Sequence, residues 1–195
     1  MNNLKSCNDE TLVSMYAQGC DEAFDELLDR YQSKLFNYIL FLVHDQQVAD
    51  DIFQDTFTKA ILSMRAGKYV DSGKFGAWLT RIAHNLVLDS YRGTASTAKV
   101  LTDDDTVQAA LNTVQWSVDH IESEIVYGQT LDDVRHYMAL LPPSQREVLY
   151  MRYFQDRSFK EIADITGVSI NTSLGRMRYA LLNIKRMMNR DGFRI

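Results

Sequence analysis

Apolar residues recur at steps of three, four and seven along most of the chain, and the only two prolines, Pro142 and Pro143, stand side by side. Few features restrict a fold more. That spacing puts side chains on one face of an α-helix, and a chain with no other proline lacks the residue that most readily breaks one. In the first half, Phe24, Leu27, Leu28, Tyr31, Leu35, Ile39 and Leu42 form one stripe. Ile52, Phe53, Thr56, Phe57, Ala60 and Ile61 form a second, over about residues 47–64, and Phe75, Trp78, Leu79, Ile82, Ala83, Leu86 and Val87 a third, over about 75–91. Three such stripes facing one another bury themselves as a small helical bundle. The fold class expected is therefore all-α.

The pattern weakens from Gly93 to about Asp119, where the chain is rich in Ser, Thr and Ala and carries the acidic triplet Asp103 to Asp105. This composition reads as a flexible linker, with room for a short helix over residues 107–114. Consecutive carboxylates in such a segment do not fix the coordination shell that a hard cation requires, so a solvated linker is preferred to a metal site. Order returns at about Ile121, with a helix through Leu131, Val134, Tyr137, Met138 and Leu141 that ends at the prolines. Ser144 with Glu147, and Ser158 with Glu161, each have the spacing of a capping box, so a helix is expected to start at each serine. The division expected is two small helical domains, residues 1–93 and 121–195, joined by a linker over 94–120.

The segment from Ser158 to Arg186, "SFKEIADITGVSINTSLGRMRYALLNIKR", has the grammar of a helix-turn-helix. Ile162, Ala163 and Ile165 pack a short helix, Gly167 can take the left-handed conformation at its end, and Ser169 can cap the next. In that second helix Ile170, Leu174, Met177, Leu181, Ile184 and Met188 are expected inside. Thr172, Arg176, Tyr179, Asn183, Arg186 and Arg190 then face outward. Such a helix suits the major groove, where arginine pairs with guanine in a bidentate way, while Lys185, Arg186 and Arg190 suit phosphates. A solvated amphipathic helix with basic residues near its C-terminus is the plainer account. It does not explain the glycine turn or the run Asn171, Thr172, Ser173 at the helix start.

Charge supports a divided chain. Residues 1–93 hold 9 Lys/Arg and 13 Asp/Glu, residues 94–130 hold 1 and 6, and residues 131–195 hold 11 and 7, which sum to the overall −5. From Ser169 onward 6 basic residues face Asp191 alone, a local +5. Net acidity thus leaves room for a nucleic-acid partner at the C-terminal end. In "VADDIFQDTF", Asp51 and Asp55 lie one turn apart with Asp50 and Gln54 beside them. Like charges at that spacing destabilise a helix. Two accounts stand level: acids favoured by the helix dipole, or a docking face for a basic partner. On the third helix, Lys74, Arg81, Asn85 and Arg92 lie off the apolar stripe, with Tyr69 in the loop before it. Cations interleaved with an aromatic suit single-stranded nucleic acid. Tyr69 packed under its own loop is the alternative, and Trp78 is assigned to the core.

Other classes of function find little support. Cys7 and Cys20 are the only cysteines, the start "MNNLKSCNDETL" has no apolar signal core, and no run approaches the roughly 18 apolar residues of a membrane span. A reducing cytoplasm without membrane insertion is the location expected. His44, His84, His120 and His136 have no metal-ligand spacing, and the chain has neither a nucleophile motif nor a glycine-rich phosphate loop. No catalytic residue, metal or cofactor is expected.

Four stretches in order, "LVSMYAQGCDEAFDELLDRYQSKLFNYI", "VADDIFQDTFTKA", "FGAWLTRIAHNLVLDSYR" and "LLPPSQREVLYMRYFQDRSFKEIADITGVSINTSLGRMRYALLNIK", together resemble a bacterial RNA polymerase sigma factor of the extracytoplasmic-function type. The resemblance implies two helical domains, sigma regions two and four, joined by a flexible linker. It implies that Asp50, Asp51, Gln54, Asp55 and Phe57 dock on the clamp helices of the polymerase's largest subunit, and that the chain also contacts the flap region of core polymerase. Lys68, Tyr69, Lys74, Arg81, Asn85 and Arg92 would recognise and melt the minus-ten promoter element. Asn171, Thr172, Ser173, Arg176 and Tyr179 would read the minus-thirty-five element as duplex, with Lys185 and Arg186 on phosphates. The partners implied are core polymerase, promoter DNA and an anti-sigma inhibitor. Many relatives carry a β-branched residue and a lysine where this chain has Ser173 and Leu174, and a basic residue in place of Tyr179. The competing readings are a stand-alone helix-turn-helix regulator and a helical adaptor that binds only proteins.

Overall fold

The computed structural model describes residues 4–69, 73–97 and 136–191, the last five residues of the middle segment as backbone only. Among the described residues there is no strand. The chain separates into two compact units, residues 1–90 and 91–195.

In the first unit a 3-10 turn over Leu4–Ser6 precedes four helices: α1 (Asp9–Ala17), α2 (Asp21–Val43), α3 (Gln46–Arg65) and α4 (Phe75–Thr97), the last of which runs past the unit's boundary at Ser90. The core draws on all four, with Leu12 and Tyr16, Leu27, Tyr38 and Ile39, Ile52, Ala60 and Met64, and Phe75, Leu79, Ala83 and Val87 buried. α2, α3 and α4 fall where the three apolar stripes place them. α1 is an addition. Its nine residues are too few to establish a period, but Asn8 caps it by accepting from the Thr11 amide at 2.9 Å, and Asp9 and Glu10 complement the dipole of its first turn. α2 ends at His44, a left-handed residue with φ 53°, and Asp45 caps α3 by accepting from the Val48 amide at 3.0 Å. Two residues of connection leave α2 and α3 little choice but to run antiparallel as neighbours. The buried Thr56 hydroxyl donates to the Ile52 carbonyl at 2.7 Å, which is how a threonine is accommodated in the stripe.

Arg30 ties the N-terminal elements to α2. Its guanidinium donates to Glu26 Oε1 (2.8 Å), to Asp9 Oδ1 (3.0 Å) and to the carbonyls of Leu4 (3.1 Å) and Lys5 (3.2 Å). Burial opposes its charge, but the hydrogen bonds to Glu26 and Asp9 outweigh that and raise its pKa. The Tyr31 hydroxyl donates to the other Asp9 oxygen. The contacts to Asp9, Leu4 and Lys5 span 21 to 26 residues, beyond the reach of helical periodicity.

In the second unit residues 136–139 are helical, followed by α5 (Pro143–Tyr153), α6 (Phe159–Thr166) and α7 (Ile170–Arg190). Tyr137, Met138, Leu141, Val148, Leu149, Met151, Ile162, Ile165 and Met177 are buried. The first capping box is not formed. Pro142 is the N-cap of α5, Pro143 opens its first turn, and Glu147 is buried. Proline at the first helical position lacks the amide that would need a cap and has its φ already set, so the helix starts ahead of Ser144. The second box is complete: Ser158 Oγ accepts from the Glu161 amide at 3.3 Å, and Glu161 Oε2 accepts from the Ser158 amide at 3.0 Å. Gly167 closes α6 at φ +70°, a left-handed conformation that favours glycine, and Ser169 caps α7 by accepting from the Thr172 amide at 3.0 Å. The linker expected over 94–120, its short helix, the acidic triplet, His120 and the residues from Ile121 through Val134 lie outside the described residues, except that α4 continues to Thr97.

Candidate nucleic-acid and partner interfaces

The outward face of α7 differs from the one expected. Ser173 and Ala180 are fully buried and Met177 nearly so, with Ile184 half-buried, a line spaced four, three, four. Ile170, Leu174 and Leu181, expected inside, are 45%, 44% and 46% exposed. Small side chains at 173 and 180 let the α7 backbone approach α5 and α6 closely; the bulkier residues would hold the helices further apart. Ser173 therefore leaves the set of DNA contacts. Its Oγ is buried without a hydrogen-bond partner among the described residues. Asn183 also turns inward, donating to Gln145 Oε1 of α5 at 2.9 Å.

The opposite line is Asn171, Gly175, Arg178 and Leu182, again spaced four, three, four, and flanked by exposed Thr172, Tyr179, Lys185 and Arg186. Arg178 escapes a reading that selects the buried stripe by side-chain size; the alternative spacing through Ser173 and Ala180 is equally present in the sequence. Arg176 is half-buried on the flank. Arg190 pairs with Asp191 at 3.3 Å, and Asp191 accepts from the Tyr137 hydroxyl at 3.0 Å, so the helix end is held in place.

Lys68 and Lys74 are exposed on either side of the loop before α4, and Arg81, Asn85 and Arg92 are exposed along α4 at steps of four and seven. Tyr69 is not a projecting platform. Its ring packs edge-on against Trp78 (4.7 Å between centroids) and Phe75 (5.8 Å), and its hydroxyl is buried. Trp78 is half-buried rather than fully in the core, and lies three residues before Arg81 on the same side of the helix. An aromatic cluster of Tyr69, Phe75 and Trp78 thus forms in a stretch of chain that also carries the exposed cations Lys68, Lys74 and Arg81. Residues 70–72, in the loop between Tyr69 and Lys74, lie outside the described residues.

Asp50, Asp51, Gln54 and Asp55 are all exposed on α3. Phe57 is buried, meeting Phe53 at 5.0 Å and Phe24 at 6.1 Å, so it supports this face from beneath and is not itself a contact surface. α3 starts at Gln46 with no acid in its first turn. The dipole effect fades within one turn, so it does not account for Asp51 and Asp55. Leu62, on the same line as Asp51, Asp55 and Thr58, is 62% exposed and continues the face. Among the described residues no cluster of His, Cys, Asp and Glu could hold a metal, and no helix is long and apolar enough to cross a membrane.

Comparison with known proteins agrees with this arrangement. Residues 27–97 match the family model of sigma-70 region 2, and residues 131–178 match sigma-70 region 4. The chain is 32% identical over 158 residues to the ECF RNA polymerase sigma factor BldN of Streptomyces coelicolor, covering 80% of this chain and 56% of that protein's length. It is 26% identical to the ECF RNA polymerase sigma factor SigM of Bacillus subtilis, covering 85% of this chain and 95% of the relative. Two solved structures share the fold. CnrH, in complex with the cytosolic domain of CnrY, has a TM-score of 0.64 at 22% identity, covering 95% of this chain and all of that one. RpoE of Bartonella quintana, in complex with the anti-sigma factor NepR, has a TM-score of 0.67 at 20% identity, covering 85% and 96%. With both family segments present in chain order on an all-helical fold, the chain belongs to the sigma-70 family of RNA polymerase sigma factors, in its extracytoplasmic-function group.

Proposed function

We propose that this chain is a promoter-specificity subunit: it binds core RNA polymerase and directs initiation at chosen promoters, supplying recognition while the polymerase supplies catalysis. The observation that carries the reading is the pair of family segments, 27–97 and 131–178, one bearing the acidic face of α3 and the other the start of the outward face of α7, from Asn171 to Arg178. Asp50, Asp51, Gln54 and Asp55 dock on the clamp helices, over Phe57. Lys68, Lys74, Arg81, Asn85 and Arg92 guide the melted minus-ten strand past the Tyr69 and Trp78 cluster, since a cation-rimmed aromatic surface suits unstacked bases. Asn171, Thr172, Arg178 and Tyr179 read the minus-thirty-five duplex, with Arg176, Lys185 and Arg186 on its phosphates. The domain division of this reading is 1–93 and 121–195, with residues 94–120 as the linker. Such a protein works in the cytoplasm, makes and breaks no bonds itself, and is held in check by an anti-sigma partner covering one of these surfaces.

In the deciding experiment, purified protein is added to core polymerase on a pool of randomised promoters and the transcripts are sequenced. Initiation at sites that core alone ignores is the expected result. Tight sequence-specific duplex binding by the protein alone, unchanged by core, would instead make it a stand-alone regulator.

A further inference from the structure

Gly175 sits in the middle of α7, on the outward line with Asn171, Arg178 and Leu182. Glycine in a helix usually has one of two structural reasons. It takes a positive φ, or it lets another part of the protein come close. Neither holds here. Positive φ occurs at Gly19, Gly67, Gly73 and Gly167 but not at Gly175, and among the described residues a Cβ added to Gly175 would meet nothing within 4 Å. Alanine would be the better helix former, because glycine loses more conformational freedom on folding. The position thus carries a folding cost that no contact among the described residues offsets.

The surroundings indicate what approaches from outside. Asn171 and Thr172 lie a turn before Gly175, and Arg178 and Tyr179 a turn after, all but the glycine itself well exposed. Amide, hydroxyl and guanidinium groups around a bare backbone notch, on a segment carrying a local +5, match the polar base edges and phosphates of a DNA groove. We propose that Gly175 is the point of closest approach between α7 and the major-groove edge of the upstream promoter duplex. The missing side chain sets how deeply the helix seats, and so which base pairs Asn171 and Arg178 reach. This rests on the reading of α7 as the minus-thirty-five helix. A Cβ projects about 1.5 Å, whereas hydrogen bonds hold within about 0.5 Å of their optimum, so even one methyl group would lift the reading side chains out of range.

The test compares Gly175→Ala with the unaltered chain, each assembled with core polymerase, on a promoter selected by the unaltered holoenzyme from a randomised library. Thermal unfolding of Gly175→Ala should be unchanged or rise by about 2–6 °C, as expected for a better helix former. Its affinity for the selected promoter should fall at least about tenfold, while on a template with the upstream element scrambled the two holoenzymes should initiate equally. Unaltered affinity, with the original holoenzyme protecting the upstream element, overturns the proposal and leaves the sigma reading intact. A lowered melting temperature overturns it as well, by showing an internal role for the glycine. Failure of the original holoenzyme to protect any upstream duplex removes the reading on which the proposal rests.

Discussion

Replacing Asp51 by lysine should separate stability from binding. Asp51 and Asp55 are exposed one turn apart on α3, past the reach of its N-terminal dipole. Their repulsion costs a few tenths of a kcal/mol, and in Asp51→Lys the attraction of the introduced ammonium group for Asp55 would add a similar amount of stability. Lysine is also the better helix former by about 0.3–0.5 kcal/mol. The sum is a gain of about 0.5–1 kcal/mol, or roughly 2–6 °C in the melting temperature of the first unit. Binding should move the opposite way. A reversed charge facing a basic partner loses an attraction and adds a repulsion, together about 1–3 kcal/mol, or roughly 5–150-fold in affinity for core polymerase. The assay is displacement of a labelled copy of this chain from core at several salt concentrations, beside thermal melts; the deficit should shrink as salt rises. Core affinity within about twofold of the original, in a variant that melts normally, would refute the docking face on α3.

Three other outcomes follow from named contacts. Arg30→Ala removes two carboxylate and two carbonyl contacts from a side chain that is one-quarter exposed, and should lower stability by about 2–3 kcal/mol in urea unfolding, with faster amide exchange in α1. Ser158→Ala should cost about 1 kcal/mol, because it breaks a formed capping box, whereas Ser144→Ala should cost less than about 0.5 kcal/mol, since α5 starts at Pro143. Arg178→Ala should relax base preference at one upstream position by about 1–3 kcal/mol in a promoter-selection experiment, while Arg176→Ala should weaken binding to all sequences alike.

Residue order alone was enough for much of what depends on near neighbours, though it placed the start of α5 at Ser144 instead of Pro143 and missed the short α1. The helices α2, α3 and α4, the box at Ser158, the left-handed Gly167 and the cap at Ser169 all rest on interactions within about four residues, and each is visible in the chain as written. The family resemblance added the roles of the faces, which periodicity could not supply. Which face of α7 turns inward became definite only on packing. Two spacings were available there, and the small pair Ser173 and Ala180 prevailed over the larger leucines because close helix crossing is a property of two helices at once. The same holds for Phe57, buried against Phe24 from another helix, and for Arg30, whose contacts reach back more than twenty residues. Local grammar sets where helices start and stop; the distance at which they pack selects the side chains left outside for a partner.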